Sequence, residues 1–546
     1  MTKPNILLVL ADDMGFSDIG CYGSEIRTPN LDALGTNGLR YTQMYNSARC
    51  CPSRAALLTG LNPHQAGVGW MTTTLVGSTD AYQGYLNERC VTIAEVLKGA
   101  GYRTFLSGKW HVGNAYDAQR PDTWRAGEPG WPTPTQRGFD DFYGTLDGAG
   151  SFWNPHSLMD GESYIRPDSP DFYYTDAIGE NATARIEAAL DAGTPFFGYV
   201  AFTAPHWPLH AREQDIARYA DVYRCGWDAI RSARHETQRD AGLVDRRWTI
   251  SPRDTESWPF GQSRYPDWEA LRMAVYAAQI DRMDQAIGGI VATLSRRKAL
   301  DNTLIFFLSD NGGCAEFLKE DTDAPAPHRY NMPTVDGRPM HVGNLPHLKP
   351  GPADTFMSYD LPWANASNTP FRRYKSWVHE GGISTPFIVH WPDGIAAPAI
   401  VHAPIHITDI MPTCVEVAGA RYPESVGDHA IQPMEGASLA PSFRDGGWQR
   451  GKPIWFEHEG NRAVRDGPWK LVNRHPRQWE LYNIDDDRTE QRDLADSERR
   501  RVEAMARYWR GQAERVGYAP NQALVDRVAE RHPENWALVR RRFKAA

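Results

Sequence analysis

Five short apolar runs constrain what this chain can become. They fall at residues 5–10, 102–106, 196–202, 304–308 and 387–390, with helically spaced segments between them. The clearest of those segments carries Ile280, Met283, Ile287, Ile290 and Leu294 at steps of three and four, which makes one apolar stripe along one helix face. A short apolar run without alternation is a strand buried on both sides, and strands that alternate with helices build a parallel sheet. The expectation is an α/β sandwich, a large, mixed, mostly parallel sheet flanked by helices. At 546 residues the chain has room for a second unit as well.

Two stretches break the rhythm. Residues 208–266 are rich in Arg, Asp and Trp and read as a partly helical insertion, while residues 324–370 are crowded with Pro, His and Asn and show little periodicity. Irregular segments of that length inside a compact domain tend to be functional, and both read as walls of a site. From about residue 451 the pattern changes to short strands at 463–465, 469–472 and 479–482. A helix over 496–516 follows, with Val502, Met505 and Trp509 on one side. The chain therefore divides into an N-terminal domain over 1–450 and a smaller subdomain over 451–546, an antiparallel sheet with a helix.

Composition narrows the function. A net charge of -9 opposes a nucleic-acid or membrane-surface role, since either favours a basic face. No window approaches the roughly 20 apolar residues that span a bilayer. Residues 6–10 run straight into Asp12 and Asp13 with no small-residue cleavage site. They read as a buried strand rather than a leader, and a cytoplasmic location is expected. The basic run Arg540, Arg541, Arg542 and Lys544 reads as a solvated helix end. The seven cysteines are odd in number and scattered, so no disulfide framework is expected, and the absence of a C-x-x-C pair leaves a zinc site unsupported.

Chemistry enters at Cys50. In Cys50-Cys51-Pro52-Ser53-Arg54, Pro52 suits the first turn of a helix that Ala55 to Leu58 continue. Cys50 then sits where unpaired backbone N–H groups favour an anion, with Arg54 one turn on. A nucleophile beside an anion site fits these residues, and so does a buried structural cysteine near an arginine. Asp12-Asp13 and Asp310-Asn311 each follow an apolar run, where α/β sheets place ligands. Either pair alone fits a turn; together they form an oxygen donor set sized for calcium or magnesium.

The wider pattern resembles a known family. C-x-P-S-R, three further residues and Leu58-Thr59-Gly60 resemble the signature of the type I sulfatases, without a gap. Asp12-Asp13 and Asp310-Asn311 look like that family's metal motifs. Gly108-Lys109-Trp110-His111-Val112-Gly113 and Thr203-Ala204-Pro205-His206-Trp207-Pro208 are similar to two of its catalytic segments. Asn368-Thr369-Pro370-Phe371-Arg372-Arg373-Tyr374-Lys375 and Glu380-Gly381-Gly382-Ile383-Ser384-Thr385-Pro386 resemble its N-x-P-x-R-x-x-K and E-G-G-x-R-x-P blocks. Ser384 stands where the family usually has arginine, a departure expected to affect only local packing. Softer matches at 137–144 and 406–413 read as structural. The likeness runs from about residue 4 to 516, and its cast is that of bacterial arylsulfatases without a signal peptide.

The resemblance implies an alkaline-phosphatase-like fold and a sulfuric ester hydrolase. It implies that Cys50, not Cys51, becomes formylglycine through a formylglycine-generating enzyme, a partner during maturation. It implies a divalent metal, Ca2+ with Mg2+ or Mn2+ possible in its place, held by Asp12, Asp13, residue 50, Asp310 and Asn311. One hydroxyl of the aldehyde hydrate attacks sulfur with Asp310 as base; the other drives the collapse back to aldehyde with His111 as base. Arg54 and Lys109 hold the ionised hydrate, and His206 and Lys375 serve the leaving oxygen. The substrate is a small-molecule sulfate ester, aryl or small alkyl, with no nucleic acid or membrane as partner. The rival reading is a formylglycine-dependent phosphonate monoester or phosphodiester hydrolase. Such enzymes tend to replace part of the metal set, whereas this chain keeps Asp12, Asp13, Asp310 and Asn311. An aldehyde-reactive hydrazide should label the peptide at position 50, and the label should survive Cys51→Ser and vanish in Cys50→Ala; a label on residue 51 contradicts this register.

Overall fold

The computed structural model describes residues 3–520 apart from 73–78, 119, 255–256, 321–329, 331 and 446. All five apolar runs are strands of one sheet. β1 (Asn5–Ala11) is buried throughout because each face meets its own core. Leu7, Val9 and Ala11 point into one apolar cluster, and Ile6, Leu8 and Leu10 into the other.

The other strands that matter here are β2 (Leu39–Tyr45), β3 (Arg103–Gly108), β4 (Phe196–Ala201), β5 (Thr303–Ser309) and β6 (Ser384–His390). In the eleven-stranded sheet the order through them is β2-β6-β5-β1-β4-β3. β5, β1, β4 and β3 are mutually parallel, and β6 runs antiparallel to β5 and β2. The sheet is thus mixed and mostly parallel, as expected. β2 was not anticipated: Arg40, Thr42 and Gln43 break its apolar run, and it stays buried because Thr42 and Gln43 hydrogen-bond His402.

Helices cover both faces. On one lie α2 (Tyr174–Asp191) and α4 (Pro266–Arg296), and on the other α1 (Cys50–Thr59). The predicted stripe Ile280, Met283, Ile287, Ile290 and Leu294 is buried in α4. The tryptophan-rich insertion is drawn into the core: α3 (Trp227–Asp240) buries Trp227 against Trp258, Phe260 and Trp363. The segment expected to be irregular contains α5 (Asp360–Ser367), buried almost throughout and so without amphipathic spacing; its residues 324–329 and 331 lie outside the described residues.

The C-terminal meander is β7 (Ile454–His458), β8 (Asn461–Asp466), β9 (Trp469–Asn473) and β10 (Trp479–Asn483), each antiparallel to the next. The first of these strands was not anticipated. One face carries Val464, Leu471 and Leu481 against Met505, Trp509 and Ala513 of α6 (Arg499–Val516). The other carries Phe456, Ala463 and Val472 against Tyr45, Val378 and Ile383 of the larger unit. All seven cysteines are unpaired. No described helix is long and apolar enough to cross a membrane. The basic run at 540–544 lies outside the described residues.

Parallel strands share one polarity, so β1, β3, β4 and β5 release their C-terminal loops at one edge. Those loops pack closely. A Cβ on Gly312 would lie 1.9 Å from the Gly381 carbonyl oxygen and 2.8 Å from Asn368 Oδ1. Gly312→Ala should therefore cost about 1–3 kcal/mol as the backbone gives way, read as a lower denaturant midpoint with an unchanged slope.

Candidate active site

α1 begins abruptly. Arg49 is extended, Pro52 occupies the first turn, and Gly60, left-handed at φ 69, ends the helix with its N–H on the Ala56 carbonyl. Cys50 is 1% exposed. Its sulfur lies 3.9 Å from Asp13 Oδ1.

Around it the strand-end loops deliver alternating charge. Lys109 Nζ, from the loop after β3, lies 2.5 Å from Asp12 Oδ2. Lys375 Nζ lies 2.7 Å from Asp13 Oδ2 and 3.2 Å from His206 Nε2. Arg54 donates from Nε to Asp310 Oδ2 at 3.0 Å and from Nη1 to the Lys109 carbonyl at 3.0 Å. Asn311 donates to Asp13 Oδ1 at 2.7 Å. Asp12, Asp310, Arg54 and Lys109 are 0% exposed, Asp13 is 1% and Lys375 is 4%. The carboxylates and the cations are equal in number, so the buried cluster is neutral in itself.

Burial and pairing set the protonation states. Burial, reinforced by Asp310, raises the Asp12 carboxyl against the pull of Lys109. Burial works the same way on Asp13, but His206 and Lys375 overcome it and hold this carboxyl at about 2. Burial favours neutral lysine, yet Asp13 keeps Lys375 charged well past its ordinary range, and Asp12 raises Lys109 above its own. Burial pushes His206 down to about 4, so its imidazole is neutral near pH 7. Its Nδ1 lies 2.6 Å from the Trp207 carbonyl and donates to it, which leaves Nε2 to accept from Lys375. Burial also drives the Cys50 thiol well up, so an unmodified Cys50 is no thiolate.

The donor set fits a hard cation. Asp12 Oδ1 and Asn311 Oδ1 are buried without a hydrogen-bond partner among the described residues. Leaving such oxygens unmatched costs about 1–3 kcal/mol each, and oxygens of this kind are calcium or magnesium ligands. Asp12, Asp13, Cys50 and His206 each offer an atom within 4.8 Å of the others. That grouping adds His206 to the residues anticipated as ligands. Asp310 lies alongside it, with Oδ2 held by Arg54 and Oδ1 accepting from the Asp13 N–H at 3.3 Å. Asp13 and His111 both adopt left-handed backbone, at φ 65 and φ 56, as strained functional residues often do.

The structure thus gathers Cys50, Arg54, Lys109, His206, Asp310, Lys375, Asp12, Asp13 and Asn311 into one cluster. His111 Nε2 lies 3.3 Å from Cys51 Sγ, so the variable position of the signature touches the residue assigned to the collapse step. Other neighbours carried no sequence assignment. Arg49 bridges Ser376 Oγ at 2.6 Å and Glu316 at 2.8 Å. The Trp207 ring lies 4.4 Å from His206, donates its indole N–H to Glu316 at 2.9 Å, and continues into Tyr330 and Phe356. The only sequence signal for Arg49 and Trp207 was adjacency to Cys50 and His206, and Glu316, Tyr330 and Phe356 had no such neighbour. At Ser384 the guanidinium comes from elsewhere in the chain: Arg488 lies 2.7 Å from its Oγ.

Comparison with known proteins agrees with this geometry. The sulfatase family profile matches residues 4–420, and the profile for the C-terminal region of N-sulphoglucosamine sulphohydrolase matches residues 372–508. An uncharacterized sulfatase of Schizosaccharomyces pombe is 31% identical over 553 residues, covering 93% of each chain. An arylsulfatase of Klebsiella aerogenes is 32% identical over 454 residues, covering 80% of this chain and 91% of its own. The crystal structure of Ps i-CgsB in complex with a neocarrahexaose superposes with a TM-score of 0.66 at 24% identity, covering 94% of this chain and 93% of that one. At that identity the last likeness speaks to the fold alone.

Removing one partner of a buried pair strands the other. Arg54→Ala should destabilise the protein by about 3 kcal/mol, and adding Asp310→Asn should return part of that loss in denaturant unfolding.

Proposed function

The chain belongs to the sulfatase family and is a sulfuric ester hydrolase, and on that premise we propose that it cleaves small aryl or alkyl sulfate esters through a formylglycine made from Cys50. Calcium is the favoured metal, held by Asp12, Asp13, residue 50, Asp310 and Asn311. The observation that carries this reading is the sulfur of residue 50 set against a neutral cluster of buried charges in which two ligand oxygens lack partners.

A bound divalent cation supplies charge that favours an ionised hydroxyl and polarises the sulfuryl oxygens. The chain's own groups do the rest. Lys109 and Arg54 favour an anion at residue 50, with Asp310 placed to accept a proton from one hydroxyl of the hydrate. That oxygen bonds to sulfur as the bond from sulfur to the leaving oxygen breaks. Lys375 stays charged to high pH and therefore stabilises the charge on the leaving oxygen as a hydrogen-bonding cation rather than giving up its proton, with neutral His206 accepting from its Nζ. The second hydroxyl then loses its proton, the carbonyl re-forms, and the carbon–oxygen bond to sulfate breaks; His111 is assigned that proton.

The Trp207 ring beside His206 favours an aromatic leaving group. A cytoplasmic location with small diffusible esters belongs to the same proposal, as do a domain boundary near residue 450 and maturation by a formylglycine-generating enzyme. Purified enzyme should turn over an aryl sulfate far faster than the matched aryl phosphodiester, and a calcium chelator should remove most of that activity until calcium is restored. A preference for the diester overturns the assignment.

A further inference from the structure

Charged groups are also buried at the seam between the main sheet and the C-terminal meander, away from the nucleophile. Glu380, Lys470, Arg488 and Glu490 are 0% exposed. Lys470 Nζ lies 2.9 Å from Glu380 Oε1 and 2.8 Å from Glu490 Oε1. Arg488 Nε donates to Glu380 Oε2 at 2.9 Å and Nη2 to Ser384 Oγ at 2.7 Å. Its guanidinium stands 4.5 Å over the Phe371 ring and 5.7 Å over Phe16. Tyr45 and the Glu380 N–H, which donates to Glu490 Oε2 at 3.0 Å, complete the set. Lys470 is on β9, and Arg488 and Glu490 follow β10.

A seam meant only to hold two units together has no need of this. Well-packed apolar residues would do as well or better, because burying ions costs several kcal/mol apiece before pairing offsets it. What the charges grip is informative. Glu380 opens the turn whose next two residues press on the metal loop: the Gly312 N–H donates to the Gly382 carbonyl at 3.1 Å, and the Gly381 N–H to the Arg372 carbonyl at 2.8 Å. The Lys375 N–H in turn donates to the Gly313 carbonyl at 3.1 Å, and Phe371, under the Arg488 guanidinium, lies four residues before Lys375 in the chain. We propose that Arg488 and Lys470 are positioning residues for the reaction, fixing Glu380 and Phe371 so that the Asn311 and Lys375 loops meet at the spacing the site requires. This rests on the reading that those loops serve metal and sulfate. On it, the C-terminal meander is part of the active-site frame.

The test compares Arg488→Ala with Glu457→Gln, which disturbs another seam pair, His64 to Glu457 at 2.9 Å, remote from Glu380 in the contacts it makes. Both are assayed well below their melting temperatures. Arg488→Ala should lose about tenfold in kcat or in calcium affinity measured by calorimetry without substrate, within the range for a change transmitted through packed neighbours. Glu457→Gln should lose melting temperature alone. Arg488→Ala with Ser384→Arg, which returns a guanidinium to the same space from β6, should regain most of the loss. A folded Arg488→Ala enzyme with wild-type kcat and calcium affinity overturns the proposal. If that variant does not fold, Arg488→Lys, which keeps the charge but not the paired hydrogen bonds, is measured in the same way: a loss in kcat or calcium affinity supports the proposal, and wild-type values overturn it. Failure of the wild type to bind calcium would instead defeat the metal reading, and the ratio of variant to wild-type kcat would still decide the positioning role.

Discussion

Everything in this molecule that concerns chemistry hangs on the pairing of buried carboxylates with buried cations at the C-terminal edge of the sheet. Lys109 with Asp12, Arg54 with Asp310 and Lys375 with Asp13 come from separate strand-end loops and one helix. No single one of these ions survives burial alone, so each loop is held in place by a charge carried on another. The architecture serves this requirement. Parallel strands bring the loops to one edge, and α1 aims its first turn at the same point. A charge lost from one loop is felt in the others, because the partner left behind must neutralise or move.

What the sequence disclosed follows from where the information is local. Strands buried on both faces declare themselves as uninterrupted apolar runs, and the loops that follow them carry motif residues in short, ordered segments. β2 and β7 were hidden because their polar residues find buried partners far along the chain. Gln43 accepts from Arg465, and Glu457 meets His64. No window can show such pairs. α5 was hidden for the opposite reason: it is buried almost all round and has no polar face to give it a period. At the site, Asp12, Asp13 and Asp310 were legible as acidic residues that follow apolar runs, and Lys109, His206 and Lys375 through segments resembling sulfatase motifs. Arg49, Glu316 and Arg488 act across gaps that only folding closes.

At Ser384, where the family motif usually carries arginine, a guanidinium reaches the turn from another part of the chain. Read along the chain, serine removes a guanidinium from a glycine-rich turn. In space the guanidinium is there, delivered by Arg488 from beyond the meander and paired with Glu380, whose carboxyl Lys470 and Arg488 hold at about 2 against burial. A motif records which side chain the local backbone supplies, whereas the physical requirement is for a charge at a point. The two coincide only when the nearest backbone happens to be the donor.

The placement of Cys50 also fixes an order in time. Its side chain is 1% exposed, and all ten residues of the helix it opens are buried. An enzyme that must grasp this segment in extended form cannot do so once α1 is packed against the sheet. Conversion of the thiol, on the reading proposed, belongs to the growing or newly released chain, before the sheet forms. Folding then acts as a lock on a finished reagent: a chain that folds too early is sealed with an inert thiol, and no later encounter can correct it.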